Sequence, residues 1–354
     1  MHIRGGKFGM KKELIGIIIC MLLVGSGLPV TGNVIKNDNK TLSLDSGNTL
    51  YVGGSGEGNY TSIQEAINDS LDGDTIFVYD DSSPYVENLI MNKSIFLIGE
   101  DKSTTEIDGC HNYKLAVVKI MVDNVSIQGF TIKGGNEWWD YNYYGFQILS
   151  NYNNIIGNII RNNNAGIQLG SEVEVCSNNN IIKRNIIENT GMGIVLDGSS
   201  SNNTIFHNII SSNDYHGIFL RYGECINNII SYNEISNNGQ IGIWLSVAKN
   251  YNIIQHNSII NNRNGVFIIN SHNNKVLENN IYDNKNEISI LGDFWDFIKG
   301  DSIKDNIFNA NYWGRSRFLP VVLIGFYGFL NSIPLIPLVI FDMNPAQEPY
   351  DIGI

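Results

Sequence analysis

Residues 252–268 read NIIQHNSIINNRNGVFI, and the spacing within this stretch decides the fold. Asn252 and Asn257 lie five residues apart, an isoleucine stands two positions after each, and Gly265 opens a further short apolar run. Short runs in which apolar and polar residues alternate, bounded by asparagine or glycine, are typical of β-strands rather than of a helix. The stretch therefore predicts three short strands in about 20 residues.

The arrangement occurs six times along the chain. Successive copies begin 27, 23, 25, 24 and 22 residues apart. Helical-pair repeats need about 33 residues or more, so the period indicates a solenoid with one turn per copy. The copies begin at Asn153, Asn180, Asn203, Asn228, Asn252 and Asn274, and the residues two places on are Ile155, Ile182, Ile205, Ile230, Ile254 and Val276.

Three strands per turn, stacked about 4.8 Å apart, make a parallel β-helix in which the isoleucines form one continuous core. Asparagine at the corners has two expected roles: it tolerates a left-handed backbone, and its amide can bond to the equivalent amide of the next turn. A leucine-rich repeat is the alternative of similar period. It requires one strand per turn and an L-x-x-L-x-L-x-x-N order, which the chain lacks.

The two ends differ from the repeat. Residues 61–73 predict a helix that covers the open end of the solenoid: Ser62 and Glu65 form a capping box, and Gly73 stops the helix. Ile63, Ala66, Ile67 and Leu71 are its expected apolar positions. We predict a linker and first strand over residues 33–60, the β-helix over 74–314 and a C-terminal cap over 315–354. The apolar run in that cap contains three prolines, which disfavours a membrane span.

Residues 1–32 have the pattern of an export signal: four basic residues, the apolar run LIGIIICMLLV and small residues. An uncleaved membrane anchor is the alternative. The whole chain has a net charge of −12, and loss of residues 1–32, with four basic residues and one acidic residue, makes it −15. Such a surface repels phosphate backbones, so a nucleic-acid partner is not expected. The remaining cysteines, Cys110, Cys176 and Cys225, are too few for a disulfide scaffold.

The cap SIQEAINDSLDGDTIFVYD, the segment IFLIGEDKSTTEIDG and the N-x-I-x-x-N-x-I turns together resemble NosD-like proteins of the pectin-lyase-like superfamily. The resemblance spans roughly residues 49–354. It implies an all-β fold, a single-stranded right-handed parallel β-helix with an N-terminal capping helix. Function is less specific, because such repeats occur in sugar hydrolases, lyases, epimerases, carbohydrate-binding surface proteins and periplasmic copper-maturation factors.

The middle position of each glycine-led run is expected to face outward. This column comprises Gln147, Gln168, Val195, Phe219, Trp244 and Phe267. Flat rings on an exported solenoid predict a carbohydrate-binding surface at the last three positions. The alternatives are stacking of the rings on one another, or cover from a loop or the C-terminal tail. The loop NEWWDYNYYG, with Trp138 and Trp139, is expected either to form a wall of the sugar site or to lie flat on the solenoid.

Asp197 and Arg221 follow this column in adjacent turns, and Asp214 and His216 lie at the corner before it. These four residues are the candidates for acid, base or hydroxyl-binding roles. A solvated Asp197–Arg221 ion pair is the alternative. Neither the clustered carboxylates of an inverting glycosidase nor the acids and base of a calcium-dependent lyase can be located by position.

No metal site is predicted. His207 and His256 share a column, but they are two turns, about 10 Å, apart with Tyr232 between them. Calcium or copper therefore has no clear ligand cluster. The sequence predicts a secreted or cell-surface protein that binds a polysaccharide or has a structural role. A polysaccharide lyase or hydrolase and a copper-maturation factor are the alternative functions, and the N-terminal segment is an alternative route to membrane association.

Overall fold

The structure is a computed structural model, and it describes residues 47–109, 116–134, 143–171, 175–247, 250–293, 305–316, 319–329 and 332–353. The predicted export signal and residues 33–46, half of the segment predicted as linker and first strand, lie outside these residues. So do Trp138 and Trp139 of the tryptophan-rich loop.

The described chain is a parallel β-helix, as the repeat predicts. Strands β1 to β31, numbered in chain order, stack turn upon turn in three parallel sheets. Sheet 1 comprises β1 (Thr49–Val52), β2 (Thr75–Val78), β5 (Phe96–Gly99), β8 (Ser126–Gln128), β11 (Asn154–Ile156), β14 (Ile181–Lys183), β17 (Thr204–Phe206), β20 (Ile229–Ser231), β23 (Ile253–Gln255), β26 (Lys275–Leu277), β29 (Ile307–Asn309) and β31 (Ser332–Asp342).

Sheet 2 comprises β3 (Tyr85–Val86), β6 (Glu106–Asp108), β9 (Thr131–Lys133), β12 (Ile159–Arg161), β15 (Ile186–Glu188), β18 (Ile209–Ser211), β21 (Glu234–Ser236), β24 (Ser258–Ile260) and β27 (Asn280–Tyr282). Sheet 3 comprises β4 (Leu89–Met91), β7 (Val118–Ile120), β10 (Tyr144–Ile148), β13 (Ala165–Leu169), β16 (Met192–Leu196), β19 (His216–Leu220), β22 (Ile241–Ser246), β25 (Asn264–Ile269), β28 (Asn286–Asp293) and β30 (Val321–Phe329). In sheets 1 and 2 most of the strands are three residues long, because a corner follows almost at once.

The core is built from like residues of successive turns. Ile155 pairs with Ile182, which pairs with Ile205, and this column continues to Val276. These side chains are fully buried, as are the isoleucines of the second run in sheet 2. The predicted position of every aliphatic residue in the six copies is therefore confirmed.

The asparagines at the start of each run form continuous hydrogen-bonded ladders inside the corners. At each step the backbone N–H and the Nδ2 of one asparagine donate to Oδ1 of the asparagine in the next turn. Asn208, for example, donates to Asn233 over 3.0 Å from both atoms. We call these the asparagine ladders; the first runs through Asn153, Asn180, Asn203, Asn228, Asn252, Asn274 and Asn306, and the second through Asn158, Asn185, Asn208, Asn233, Asn257, Asn279 and Asn311.

The left-handed backbone predicted for the corner asparagines is found, but not at the ladder asparagines themselves. Among the described residues, positive φ values occur one position earlier, immediately before the ladder asparagine. In front of the second ladder these residues include Arg184, His207, Tyr232 and His256, with φ between 52° and 56°. In front of the first ladder this residue is itself asparagine in four turns, Asn179, Asn202, Asn227 and Asn273, so asparagines at the corners do adopt the left-handed bend while the ladder asparagines contribute their amides.

The N-terminal helix is confirmed but is shorter than predicted. Helix α1 spans Ile63–Asp69, and Ser62 caps it by accepting a hydrogen bond from the Glu65 N–H. Glu87, from the loop after β3, accepts bonds from Ile63 N and Gln64 N and so takes over the helix start. Leu71, predicted to be apolar and inward, is instead 65% exposed because the helix ends before it.

At the other end, β30 and β31 form an antiparallel hairpin. β30 pairs with β28, and Asp342 of β31 is the register partner of Phe308 in β29. Asp342 is fully buried and ends the second ladder: it accepts from Asn311 N at 3.0 Å, Asn311 Nδ2 at 3.2 Å and Trp313 Nε1 at 3.1 Å. Within the described residues, no helix has the length and apolar character needed to cross a bilayer.

Candidate functional site

The aromatic residues predicted on the outside of sheet 3 are aligned by strand register. Phe219 pairs with Trp244, and Trp244 with Phe267. The Phe219 and Trp244 rings stack with centroids 4.2 Å apart and planes 7° apart; for Trp244 and Phe267 the values are 5.9 Å and 13°. All three side chains are half-buried. We call them the aromatic column, and its rings cover one another's faces, so that only a terminal ring has a face that no other ring of the column covers.

Two positions of the predicted outer column are buried, while its first member, Gln147, is half-buried. Gln168 and Val195 are each 1% exposed. Val195 packs with Ala116, Tyr144 and Ala165 in a small outer apolar cluster. The predicted exposure of Gln168 and Val195 is wrong: side chains of earlier turns pack on Val195, and Gln168 bonds through Nε2 to Asp197 of the next turn.

His216 lies against the aromatic column. Its ring contacts Phe219 and Trp244 edge-on, with centroids 5.2 Å and 5.0 Å away. The next residue, Gly217, faces the core, where a Cβ would lie 2.6 Å from Cγ2 of Ile235. Burial lowers the pKa of His216 to about 4, so the imidazole is neutral at neutral pH. The His216 Nδ1 and Trp244 Nε1 atoms are both buried without a hydrogen-bond partner.

Asp197 and Arg221 form the predicted ion pair, but it is not solvated. Asp197 is fully buried and the Arg221 side chain is 14% exposed. Arg221 donates through Nε to Oδ1 over 2.9 Å and through Nη2 to Oδ2 over 3.0 Å, while Gln168 Nε2 donates to Oδ2 over 2.6 Å. Both oxygens of the carboxylate are therefore engaged, which leaves Asp197 poorly placed to protonate a substrate.

Asp214 is exposed at the corner before β19. Its backbone N–H donates to Thr190 O, and partial burial raises the pKa of its carboxyl group. The described hydrogen bonds do not join it to Asp197 or Arg221. The four candidate residues thus separate into a buried ion pair, a buried neutral imidazole and an exposed carboxyl group.

A cavity of about 530 Å³ opens beside the aromatic column. Of the predicted site residues, Phe219 and Arg221 line it, whereas Trp244 and Phe267 are not among its lining residues. Sequence reasoning missed the other lining residues, which lie mainly in the loop after β19 and at the end of β22. Loop length carries a signal, since insertions in a solenoid concentrate on a functional face and the RYGEC loop is longer than the loop after β25. The missed lining residues are Tyr222, Gly223, Glu224, Ser246 and Val247.

The histidine column on the second corner has the predicted order. Tyr232 stacks between His207 and His256, with centroids at 5.2 Å and 4.8 Å, and His256 Nε2 lies 3.1 Å from Glu278 Oε2. Cys176 and Cys225 are both free thiols. In the part of the chain that the structure describes, no three His, Cys, Asp or Glu side chains converge as a metal site would require.

Two family profiles match the sequence. The profile described as "Right handed beta helix region" matches residues 50–226, which is half of the chain, and the profile "Periplasmic copper-binding protein (NosD)" matches residues 173–317. A comparison with curated protein sequences gives no significant match.

Several solved structures are similar to the chain. The A-module of a mannuronan C-5 epimerase from Azotobacter vinelandii has a TM-score of 0.51 at 16% identity, over 72% of this chain and 81% of that one. For the Dettilon tailspike protein the values are 0.54, 15%, 75% and 62%. For XylC in complex with xylose they are 0.56, 11%, 83% and 73%. At these identities the similarity establishes the fold alone.

Proposed function

Because the chain belongs to the right-handed β-helix family, we propose that it is an exported polysaccharide-binding protein that holds its glycan beside the aromatic column. The observation that carries the proposal is the cavity of about 530 Å³ between Phe219 and the loop after β19. It combines aromatic walls with a few polar groups, the composition that binds a sugar through its C–H face and its hydroxyls. The names of two structural neighbours, a mannuronan epimerase and a xylose complex, are consistent with a carbohydrate ligand.

Binding is favoured over catalysis by the state of the acidic groups. A glycosidase needs two carboxyl groups on either side of the scissile bond. Among the described lining residues Glu224 supplies a carboxylate, while Asp197 lies buried under Arg221. His216 is neutral and enclosed, so it has no access to a substrate proton in this arrangement. A lyase or hydrolase on this face is the alternative, and release of new reducing ends or unsaturated products would identify it.

The test compares two tyrosines that share their exposure and backbone conformation but lie in different places. Tyr222 and Tyr251 are both 56% exposed and both have positive φ, but only Tyr222 lines the cavity. We expect Tyr222→Ala to weaken binding to a glycan identified on an array by about tenfold, equivalent to about 1.4 kcal/mol, and Tyr251→Ala to leave it unchanged. Equal effects of the two variants, or no glycan binding by the unaltered chain, would contradict the proposal.

Copper binding is the second candidate, because the NosD profile covers residues 173–317. His207 and His256 share a corner in that region, and the Tyr232 ring separates them. A copper site would therefore have to recruit ligands from elsewhere. Titration of Cu(I) against a chelator of known affinity, with the His207→Ala and His256→Ala variants, separates this function from glycan binding.

A further inference from the structure

The C-terminal hairpin exposes an unusually apolar surface. No charged residue occurs between positions 319 and 341. One face of the hairpin packs on the core through Val321, Leu323 and Ile340. The other face points outward, and cross-strand pairs such as Ile324 with Val339 lie side by side on it. We call this the end face; its exposed side chains include Leu319, Val322, Ile324, Phe326, Val339, Phe341 and Met343.

The end face continues onto the outer side of sheet 1. Because Phe308 and Asp342 are register partners, Phe341 comes next to Ile307, which is also exposed. A groove of about 630 Å³ lies at this junction. Lys275 is the charged residue of its lining, and the others are mostly apolar: Leu277, Ile307, Phe308, Val339, Ile340, Phe341 and Met343, with Asn306 and Asn309.

We propose that the end face docks onto a lipid bilayer, with an anionic headgroup beside Lys275 and acyl chains against the apolar side chains. The proposal does not rest on glycan binding, which involves the outer side of sheet 3. Two properties of the end face select this partner: the chemistry of its side chains and the chemistry of its free edge.

The side chains favour lipid over protein. A specific protein interface carries about one hydrogen bond per 100–200 Å². The side chains of Val322, Ile324, Val339 and Phe341 cannot form one, whereas the apolar part of a bilayer requires none. The single cation in the groove complements an anionic headgroup, although the whole chain has a net charge of −12. A second copy of the chain would present the same lining, whose charged residue is Lys275, and so would supply no carboxylate from this groove to pair with it.

The free edge of β31 disfavours strand addition by another copy. Apart from the Phe308 to Asp342 pairing, this edge has no strand partner among the described residues. Pro334 and Pro337 lie in β31, and because they are three residues apart their nitrogens face opposite edges of the strand. One of them therefore removes an N–H donor from the free edge, a usual protection of edge strands. Unpaired backbone groups also keep the hairpin out of the hydrocarbon centre. The expected position is therefore at the level of the headgroups, with the end face turned toward the acyl chains.

A site-specific probe tests this in the full-length chain, whose N-terminal apolar segment has its own affinity for lipid. Tryptophan is introduced on the end face by Phe341→Trp and, as the control, on exposed β3 by Val86→Trp. Vesicles of brominated phosphatidylcholine with phosphatidylglycerol quench a tryptophan that touches acyl chains. We expect the added fluorescence to be lost in Phe341→Trp and retained in Val86→Trp.

Two further sets of substitutions, each made in the Phe341→Trp variant, test whether the apolar side chains and Lys275 form the contact with lipid. Ile324→Ser with Val339→Ser should abolish the quenching while the circular dichroism is preserved, because both side chains face solvent. Lys275→Glu should raise the lipid concentration for half-quenching about tenfold on vesicles with phosphatidylglycerol and have no effect on phosphatidylcholine alone. Equal quenching of the two tryptophan variants, or none, overturns the proposal. So does a dimer in sedimentation that the double serine variant dissociates, because the end face would then join two copies.

Discussion

The asparagine ladders and the aromatic column are both stacks of like side chains at the spacing of the turns, one inside the corners and one outside sheet 3. In a ladder every step is directional: Asn208 donates to Asn233, which donates to Asn257. The aromatic column has no direction, and its members hold one another by their faces. The last asparagine of a ladder must therefore find another acceptor: Asn306 Nδ2 donates to Ser271 O, and Asn311 Nδ2 donates to Asp342. A ring stack can end anywhere.

The way each stack ends supports this distinction. The second ladder ends on the buried carboxylate of Asp342, and Asn284, in the third asparagine position of its turn, donates to the carboxylate of Glu287. The aromatic column stops at Ser289, which follows Phe267 in the register and is too small to extend the stack. The asparagines inside the corners are fixed because every buried donor and acceptor needs a partner. The rings outside sheet 3 have no such requirement and can contact a ligand.

The largest loss of stability is expected when an asparagine in the middle of a ladder is replaced. Asn233→Ala removes the acceptor of Asn208 N and Nδ2 and the donor to Ile205 O, all of them buried. Unsatisfied buried groups cost about 1–3 kcal/mol each, so we expect the free energy of unfolding to fall by about 4 kcal/mol. Urea denaturation followed by circular dichroism measures this. Asn154→Ala, on the outer side of β11, is the control and should cost less than about 1 kcal/mol.

The burial of His216 beside the aromatic column predicts a stability that depends on pH. Its pKa of about 4 in the folded chain lies below the ordinary value of 6.5, so the unfolded chain binds more protons between these values. Above pH 6.5 the imidazole is neutral in both states and the free energy of unfolding has its full value. As the pH falls toward 4 the free energy of unfolding decreases, by up to about 3 kcal/mol. Relative to His216→Phe, the unaltered chain should lose stability between pH 7 and pH 5. A constant difference would mean that the imidazole is hydrated.

A smaller loss of stability is expected from substitution of Asp342, on which the second ladder ends. In Asp342→Asn an NH2 group replaces either Oδ1, which accepts from Ala310 N, or Oδ2, which accepts from Asn311 N and Trp313 Nε1, and so faces donors in both cases. We expect a loss of about 2 kcal/mol in the unfolding free energy, because charge-assisted bonds are replaced by opposed donors. Asp351→Asn, exposed in the C-terminal segment, is the control. Equal stability of the two variants would show that the ladder does not need a carboxylate at its end.

The inside of this molecule was predictable from sequence and much of the outside was not. The inward position of Ile205 or Ile254 follows from a period that a single copy already displays. Burial of Gln168 and Val195, or of the Asp197–Arg221 pair, depends on which side chains of adjacent turns lean over them, and spacing alone carries no such information. The cavity was missed for the same reason: Tyr222 and Ser246 are separated by 24 residues and meet only through the turn between them.

The smallest change in stability is expected from a substitution at the open end of the aromatic column. The same substitution distinguishes rings that contact a sugar from rings that only stack on one another. Phe267→Ala removes one stacking contact, to Trp244 at 5.9 Å, and should cost about 0.5–1.5 kcal/mol. A sugar that stacks on the terminal ring face would lose about tenfold in affinity with it, while a column that only stacks on itself would bind glycan as before. Phe96→Ala, exposed on sheet 1, controls for loss of an outer ring. Titration of the same glycan against both variants decides whether the column contacts the sugar or only shapes the cavity beside it.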